Sequence, residues 1–189
     1  MAEPLMTALA PPRTFDEVYE ENVDFVWRVV ARLGVRPASV EDVAQEVFVV
    51  VHRKLGEFRG MSSIRTWLFQ ITRLAVQDHR RMIRRKEPPP GTDATAETEQ
   101  VPSSGESSPE SEAARTQAVR LLHAILEDMD ERKREVFVLA ELEQLSAPEI
   151  AEALEINVNT VYSRLRLARE AFNQALVRHH AHAPERRIR

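Results

Sequence analysis

From Asn159 to Arg169 the chain reads NTVYSRLRLAR, and the polar members of that run suit one kind of chemistry. An arginine guanidinium forks two hydrogen bonds onto a guanine edge, Ser and Asn bond base edges or phosphates, and further arginines neutralise phosphate oxygens. Val158, Val161, Leu165, Ala168 and Phe172 recur every three or four residues. That spacing predicts a helix with these residues buried and Asn159, Tyr162, Ser163, Arg166 and Arg169 turned to solvent, with Arg164 and Arg169 suited to phosphates. A second cationic set, Arg65, Arg73, Arg80, Arg81, Arg84, Arg85 and Lys86, has only Asp78 against it. Compensating a helix dipole needs one or two charges, so the cluster at the end of this set points to an anionic partner, of which nucleic acid is the commonest. Phe58, Trp67 and Phe69 near its start are candidates for stacking on unpaired bases or for the core, Trp67 for the core.

These side chains must be held by helices whose caps are readable. Ser146 and Glu149 form a capping box ahead of Ile150, Ala151 and Leu154; the pattern breaks at Glu155 and restarts after the cap residue Asn157. Two short helices and a tight turn make a helix-turn-helix, whose second helix lies in a DNA major groove. At the other end, Thr14 and Glu17 form a box before the stripe Phe15, Val18, Asn22, Phe25, Val26, Val29, Val30 and Leu33, and Gly34 stops that helix. Ser39, with Asp42 at the box position, is expected to cap a second helix with Val40, Val43, Ala44, Val47, Phe48, Val51 and Leu55 apolar, ended by Gly56. Its other side carries Asp42, Gln45, Glu46 and Val49, the pattern of a solvated face. Residues 57–63 are a loop, and Ser62 or Ser63 caps a third helix with Ile64, Trp67, Leu68, Ile71, Leu74, Ala75 and Met82 inward. Gln70, Gln77 and the arginines cover the rest of that helix. Helical periodicity resumes near Ala113 through Val119, Leu122, Ile125, Leu126 and Met129, and Asp130 caps a further helix.

The 189 residues carry a formal net charge of -4, which hides two basic blocks separated by an acidic one. Residues 87–112 hold five prolines, seven acids and a single sizeable aliphatic, Val101. Such a segment buries too little to offset its chain entropy, so it is expected to be a disordered linker between domains. Without cysteine there is no disulfide framework or thiolate metal site. No apolar run approaches a membrane span, and a soluble, cytoplasmic protein is expected. A phosphate-cradling glycine loop, a nucleophile beside a base and a metal-spaced cluster are all missing from the sequence, and His179, His180 and His182 stand on a terminal arm without carboxylates. No enzyme, cofactor, metal or small-molecule substrate is expected.

With both basic modules in view, the chain resembles an extracytoplasmic-function sigma factor of bacterial RNA polymerase, of the sigma-seventy superfamily. The marks are Asp42-Val-Ala-Gln-Glu-Val-Phe48, Phe58-Arg-Gly60, Thr66-Trp-Leu68 and Asp78-His-Arg-Arg81, then Arg134-Glu-Val-Phe137, Leu145-Ser146, Glu149-Ile-Ala151, Thr160-Val161 and Ser163-Arg-Leu165. The resemblance implies an all-α protein of two small helical domains joined by the disordered acidic linker: an arm 1–13, region two 14–86, linker 87–112, region four 113–177 and a tail 178–189. It implies that Asp42, Gln45, Glu46, Phe48 and Val49 dock on the beta-prime clamp helices of core polymerase. Phe58, Arg59, Gly60, Ser62, Ser63, Arg65, Arg73, Arg80, Arg81 and Arg84 would capture an unstacked minus-ten base and track its backbone. Asn159, Thr160, Tyr162, Ser163, Arg164, Arg166 and Arg169 would read the minus-thirty-five element, in a domain that also meets the beta flap. Promoter DNA and an anti-sigma protein are the further partners implied, for a protein monomeric when free. Leu74 stands where the family often has Asn, Glu155 where the turn usually has Gly, and Tyr162 and Leu167 where basic residues are common. The alternative reading is a stand-alone helix-turn-helix regulator that binds duplex operator DNA.

Overall fold

The computed structural model describes residues 13–86 and 109–182. The expected arm up to residue 12, the linker from 87 to 108 and the tail from 183 lie outside the described residues. Among the described residues there are seven α-helices and no strand, the all-α class expected.

Helix α1, Phe15–Arg32, starts at a complete capping box. The Glu17 carboxylate accepts from the Thr14 amide at 2.8 Å and the Thr14 hydroxyl oxygen from the Glu17 amide at 3.3 Å. Those bonds to Thr14 hold the Glu17 carboxyl below the usual range. Gly34 follows at φ +88°, the left-handed turn that glycine makes without a Cβ clash. Helix α2, Pro37–Lys54, begins before Ser39, and the expected Ser39 cap does not form. Pro37 stands in the first turn, where a missing N–H leaves no bond unmade, so the helix starts without a side-chain cap. A 3-10 turn, Leu55–Glu57, then leads to the loop before α3, Ile64–Lys86. Ser63 caps α3 by accepting from the Thr66 amide at 3.1 Å.

Helix α3 departs from its simple amphipathic reading. Leu74 is 57% and Met82 42% exposed, although both were expected inward, whereas Thr66, Phe69 and Thr72 are fully buried. The reason is that α3 packs against α1, α2 and α6, so its buried surface is wider and rotated from the stripe its aliphatics suggest. Thr72 satisfies its buried hydroxyl by donating to the Leu68 carbonyl at 2.8 Å. Phe69, part of the core, is not available to stack on bases.

Helix α4, Pro109–Asp128, starts inside the segment expected to be linker. The Asp130 carboxylate caps α5, Glu131–Phe137, by accepting from the Arg132 and Lys133 amides. A π-wound turn, Val138–Leu142, extends α5. Its last bond, Glu143 amide to Val138 carbonyl at 3.0 Å, leaves the Glu143 side chain facing α1. Helix α6, Ala147–Leu154, begins at the expected box, with the Glu149 carboxylate accepting from the Ser146 amide at 2.8 Å and hydroxyl at 2.6 Å. Glu155 then takes φ +54°, and the Ile156 amide donates to the Ala151 carbonyl at 2.9 Å, a Schellman-type closure. Asn157 caps α7, Val158–His182, by accepting from the Asn159 amide at 2.8 Å. Helix α7 runs past residue 178, the expected start of the tail, because no Pro or Gly interrupts it before Pro184.

One apolar cluster joins the two halves. It takes Val26 and Val29 from α1, Val43 and Val47 from α2, Leu68 and Phe69 from α3, and continues through Val136, Leu139, Ile150, Leu154, Val161 and Leu165. A smaller cluster of Leu126, Met129, Phe137, Val138 and Ala168 lies under α4, where the Phe137 and Phe172 rings stack at 4.8 Å.

The turn of the helix-turn-helix yields two opposed predictions, both read by urea unfolding. Glu155→Gly is expected to stabilise the protein by about 1 kcal/mol, because glycine removes the left-handed penalty. Asn157→Ala, which strips the cap of α7, is expected to destabilise it by about 1 kcal/mol.

Candidate functional site

Three surfaces emerge from the helices. The first is the outward face of α7, fixed by Val161, Leu165 and Ala168 in the core behind it. Asn159, Tyr162, Ser163, Arg166 and Arg169 are exposed, Tyr162 by 59%, whereas Thr160 and Arg164 are half-buried. The Ser163 hydroxyl donates to the Thr160 carbonyl at 3.0 Å. Arg166 pairs with Glu170 and Arg169 with Glu141, each at 2.7 Å. Exposed pairs of this kind are worth roughly 0–1 kcal/mol, too little to hold an arginine away from a phosphate. The outward face of α7 is therefore open to a partner.

The second surface is the loop before α3 and the cations along that helix. Phe58 is half-buried, its ring 5.1 Å from Trp67 and tilted by 41°. Arg59 and Gly60 are exposed, Gly60 at φ +69° with open space around it, and Ser62 is half-buried. Met61 between them is 90% exposed, an apolar side chain at the loop tip that the sequence reading did not single out. The Arg65 guanidinium lies 5.6 Å above the Phe25 ring, a cation–π contact. Arg81 pairs loosely with Asp78 at 3.2 Å, and Arg84 and Arg85 are exposed.

Arg73 and Arg80 are different, for both face the second half of the chain. The Arg73 Nε donates to Glu135 at 2.5 Å, and Arg80 donates to Glu131 at 2.6 Å and also to the Leu33 carbonyl. Burial pushes the Glu135 carboxyl up, and the Arg73 hydrogen bond opposes that shift. The structure thus separates the arginines of α3 into an exposed group and a group already occupied by carboxylates.

The third surface lies on α2. Asp42, Gln45, Glu46 and Val49 are exposed and adjacent, and Phe48 sits beneath them at 6% exposure. On α1, Phe15, Tyr19, Val23 and Trp27 recur every four residues and form a second apolar stripe beside the buried one. With Ala44, Gln45, Phe48 and Val49 they line an open groove of about 680 Å³, and the Tyr19 and Phe48 rings meet at 4.8 Å. The spacing of four was visible in the sequence. It merged there with the main stripe of α1 because Phe15 begins both. Tyr19, Trp27 and Val49 are each more than a third exposed, and a contiguous apolar patch with a polar border marks a protein-binding surface.

Among the described residues no group of three or more His, Asp or Glu converges as a metal site, and no helix is long and apolar enough to cross a membrane.

Comparison with known proteins agrees with this layout. A family model described as Sigma-70 region 2 matches residues 18–86, and one described as Sigma-70, region 4 matches residues 120–172. The RNA polymerase sigma-H factor of Pseudomonas aeruginosa is 32% identical over 169 residues, covering 87% of this chain and 86% of that protein. The ECF RNA polymerase sigma-E factor of Escherichia coli K12 is 34% identical over 148 residues, 74% of this chain and 76% of that one. Among solved structures, the sigma factor RpoE in complex with the anti-sigma factor NepR from Bartonella quintana has a similar fold, with a TM-score of 0.70 at 18% identity over 86% of this chain and 96% of that one. CnrH, in complex with the cytosolic domain of CnrY, has a TM-score of 0.63 at 24% identity, over 86% of each chain. The chain belongs to the extracytoplasmic-function group of the sigma-70 family and is a promoter-specific transcription initiation factor.

Proposed function

We propose that the three surfaces divide the work of initiation among them. Residues 14–86 form region two and residues 113–177 region four, joined by the acidic segment 87–112. Asp42, Gln45, Glu46 and Val49, with Phe48 below and the Tyr19 and Trp27 groove beside them, dock on the beta-prime clamp helices of core polymerase. The loop from Phe58 to Ser63 receives an unstacked minus-ten base, while Arg65, Arg73, Arg80, Arg81 and Arg84 follow the adjoining backbone. Asn159, Thr160, Tyr162, Ser163, Arg164, Arg166 and Arg169 meet the minus-thirty-five element, and their domain contacts the beta flap. The protein acts in the cytoplasm by recruitment, and the polymerase performs nucleotidyl transfer.

The observation that carries this reading is the separation of an apolar, acid-bordered groove on α1 and α2 from the cationic faces of α3 and α7. A stand-alone operator-binding protein has use for α7 but not for a second cationic helix and a protein-docking groove. An anti-sigma partner belongs to the same reading, since it would act by covering one or more of these surfaces.

Binding of promoter fragments, measured with and without core polymerase over a salt series, tests the assignment. Selective binding and minus-ten opening are expected only with core. Glu46→Lys should weaken core binding at least tenfold, about 1.4 kcal/mol, and leave the fold intact. Arg166→Ala should spare core binding and weaken promoter binding by about tenfold, with a shallower salt dependence. Tight, selective binding of duplex by the free protein, unaffected by core, would instead support the stand-alone regulator.

A further inference from the structure

We propose that Tyr162 and Leu167 make the outward face of α7 a reader of thymine, each seating its apolar surface against a thymine methyl group in the major groove of the upstream element. The proposal rests on the assignment of that face to the minus-thirty-five element made above, and it names the base chemistry that the face selects. The two side chains are 59% and 40% exposed and belong to neither apolar cluster, so burial within the fold does not account for them.

Their placement is set by the core behind them. With Val161, Leu165 and Ala168 buried, residues 162, 163, 166 and 167 form two successive rows on the solvent side of α7. Tyr162 with Ser163 makes the first row, and Arg166 with Leu167 the second, one turn on. Tyr162 thus neighbours Arg166 and Ser163 neighbours Leu167, so apolar and polar groups alternate across the patch. The rows lie about 6 Å apart along the axis, close to the spacing of two base pairs. The patch falls near the start of α7, the part of a recognition helix that meets base edges.

Chemistry limits what such a patch selects. The major groove offers donors and acceptors on every base pair and a single apolar handle, the thymine methyl. Arg166 has guanine as its two-bond partner. The Ser163 hydroxyl donates to the Thr160 carbonyl, which leaves its oxygen as an acceptor for a base amino group. The carbon surfaces of Tyr162 and Leu167 gain only against the methyl, since against a donor or acceptor they strip away water and return no bond. Electrostatics does not override that preference. Arg166 and Arg169 each stand 2.7 Å from a carboxylate, Glu170 and Glu141, so the sequence-independent pull of this face on phosphate is reduced.

Selection from randomised duplexes tests this with the full-length protein on core polymerase. Two pools carry the same random window upstream of the melted region of a promoter that the protein opens with core. One is synthesised with thymine and the other with deoxyuridine in its place in both strands of the window, and one round of capture is sequenced. From the first pool the parent is expected to enrich thymine at two positions about two base pairs apart. From the second, enrichment of uracil at those positions should fall about fourfold, the worth of one methyl group. Guanine enrichment through Arg166 should be equal in both pools, which shows that capture is intact. Tyr162→Ser is expected to lose thymine at one of the two positions and Leu167→Ser at the other, while Tyr162→Phe keeps both; circular dichroism verifies folding. Should a serine variant fail to fold, the comparison of the two pools with the parent still decides. Equal enrichment of thymine and uracil would overturn the proposal. So would a Tyr162→Phe protein as impaired as Tyr162→Ser, since the hydroxyl would then be the contact. If core with the protein opens no promoter, or selects nothing in the upstream window, the assignment of this face to the minus-thirty-five element fails instead. Capture by the free protein from fully random thymine and deoxyuridine duplexes then decides the methyl reading.

Discussion

The arrangement depends on how much of α3 must be covered. That helix carries Thr66, Leu68, Phe69, Ile71, Thr72 and Val76 away from water, a set too broad for one helical stripe, and α6 supplies the cover that α1 and α2 do not. Magnitudes rank the forces involved. Burying one Leu, Ile or Phe side chain contributes about 1.5–3 kcal/mol, whereas a partly exposed ion pair contributes roughly 0–1 kcal/mol. The apolar cluster shared by the halves therefore holds them together, and the arginine bonds set their orientation. At one point orientation is enforced by the backbone: the Leu33 carbonyl accepts from guanidiniums of both halves, Arg80 and Arg134, and a Cβ at Gly34 would collide with Arg134.

The same geometry explains how one acidic chain serves nucleic acid. Its acids are not spread evenly. Glu131, Glu135 and Glu143 sit where they meet arginines of α1 and α3, while the outward face of α7 presents Asn159, Tyr162, Ser163 and Arg166. Charge is thereby balanced within the protein at one surface and left for an external partner at another.

The helices themselves were legible because caps are local. The Thr14–Glu17 and Ser146–Glu149 boxes, the Asp130 and Asn157 caps and the turn at Glu155 all stand where residue type and spacing put them. The start of α2 was misread because a proline in the first turn outranked the hydroxyl cap of Ser39. Phe48, expected on the face of α2, lies beneath it, and the Tyr19 and Trp27 stripe beside it was missed. Leu74 and Met82 were misassigned as inward, and of the two roles open to Phe69 the structure gives the core. The buried side of α3 is set partly by α6, 80 or so positions along the chain by the Gln70–Glu152 bond, and no local periodicity carries that information. The joining of the halves was invisible for the same cause: each ion pair across the seam links residues that, in sequence, are charges on separate helices.

The central claim, that a single apolar core unites both halves of the free protein, is tested most directly by a distance. Because the chain has no cysteine, Glu20→Cys in α1 and Asn173→Cys in α7 allow one spin-label pair to be placed on exposed sites without other changes. Double electron–electron resonance on the free protein should give one narrow distribution centred on the separation these positions have in the structure, and a longer one once core polymerase and promoter are bound. A broad distribution in the free protein, unchanged by core and promoter, would contradict the account and leave two halves joined only by their linker.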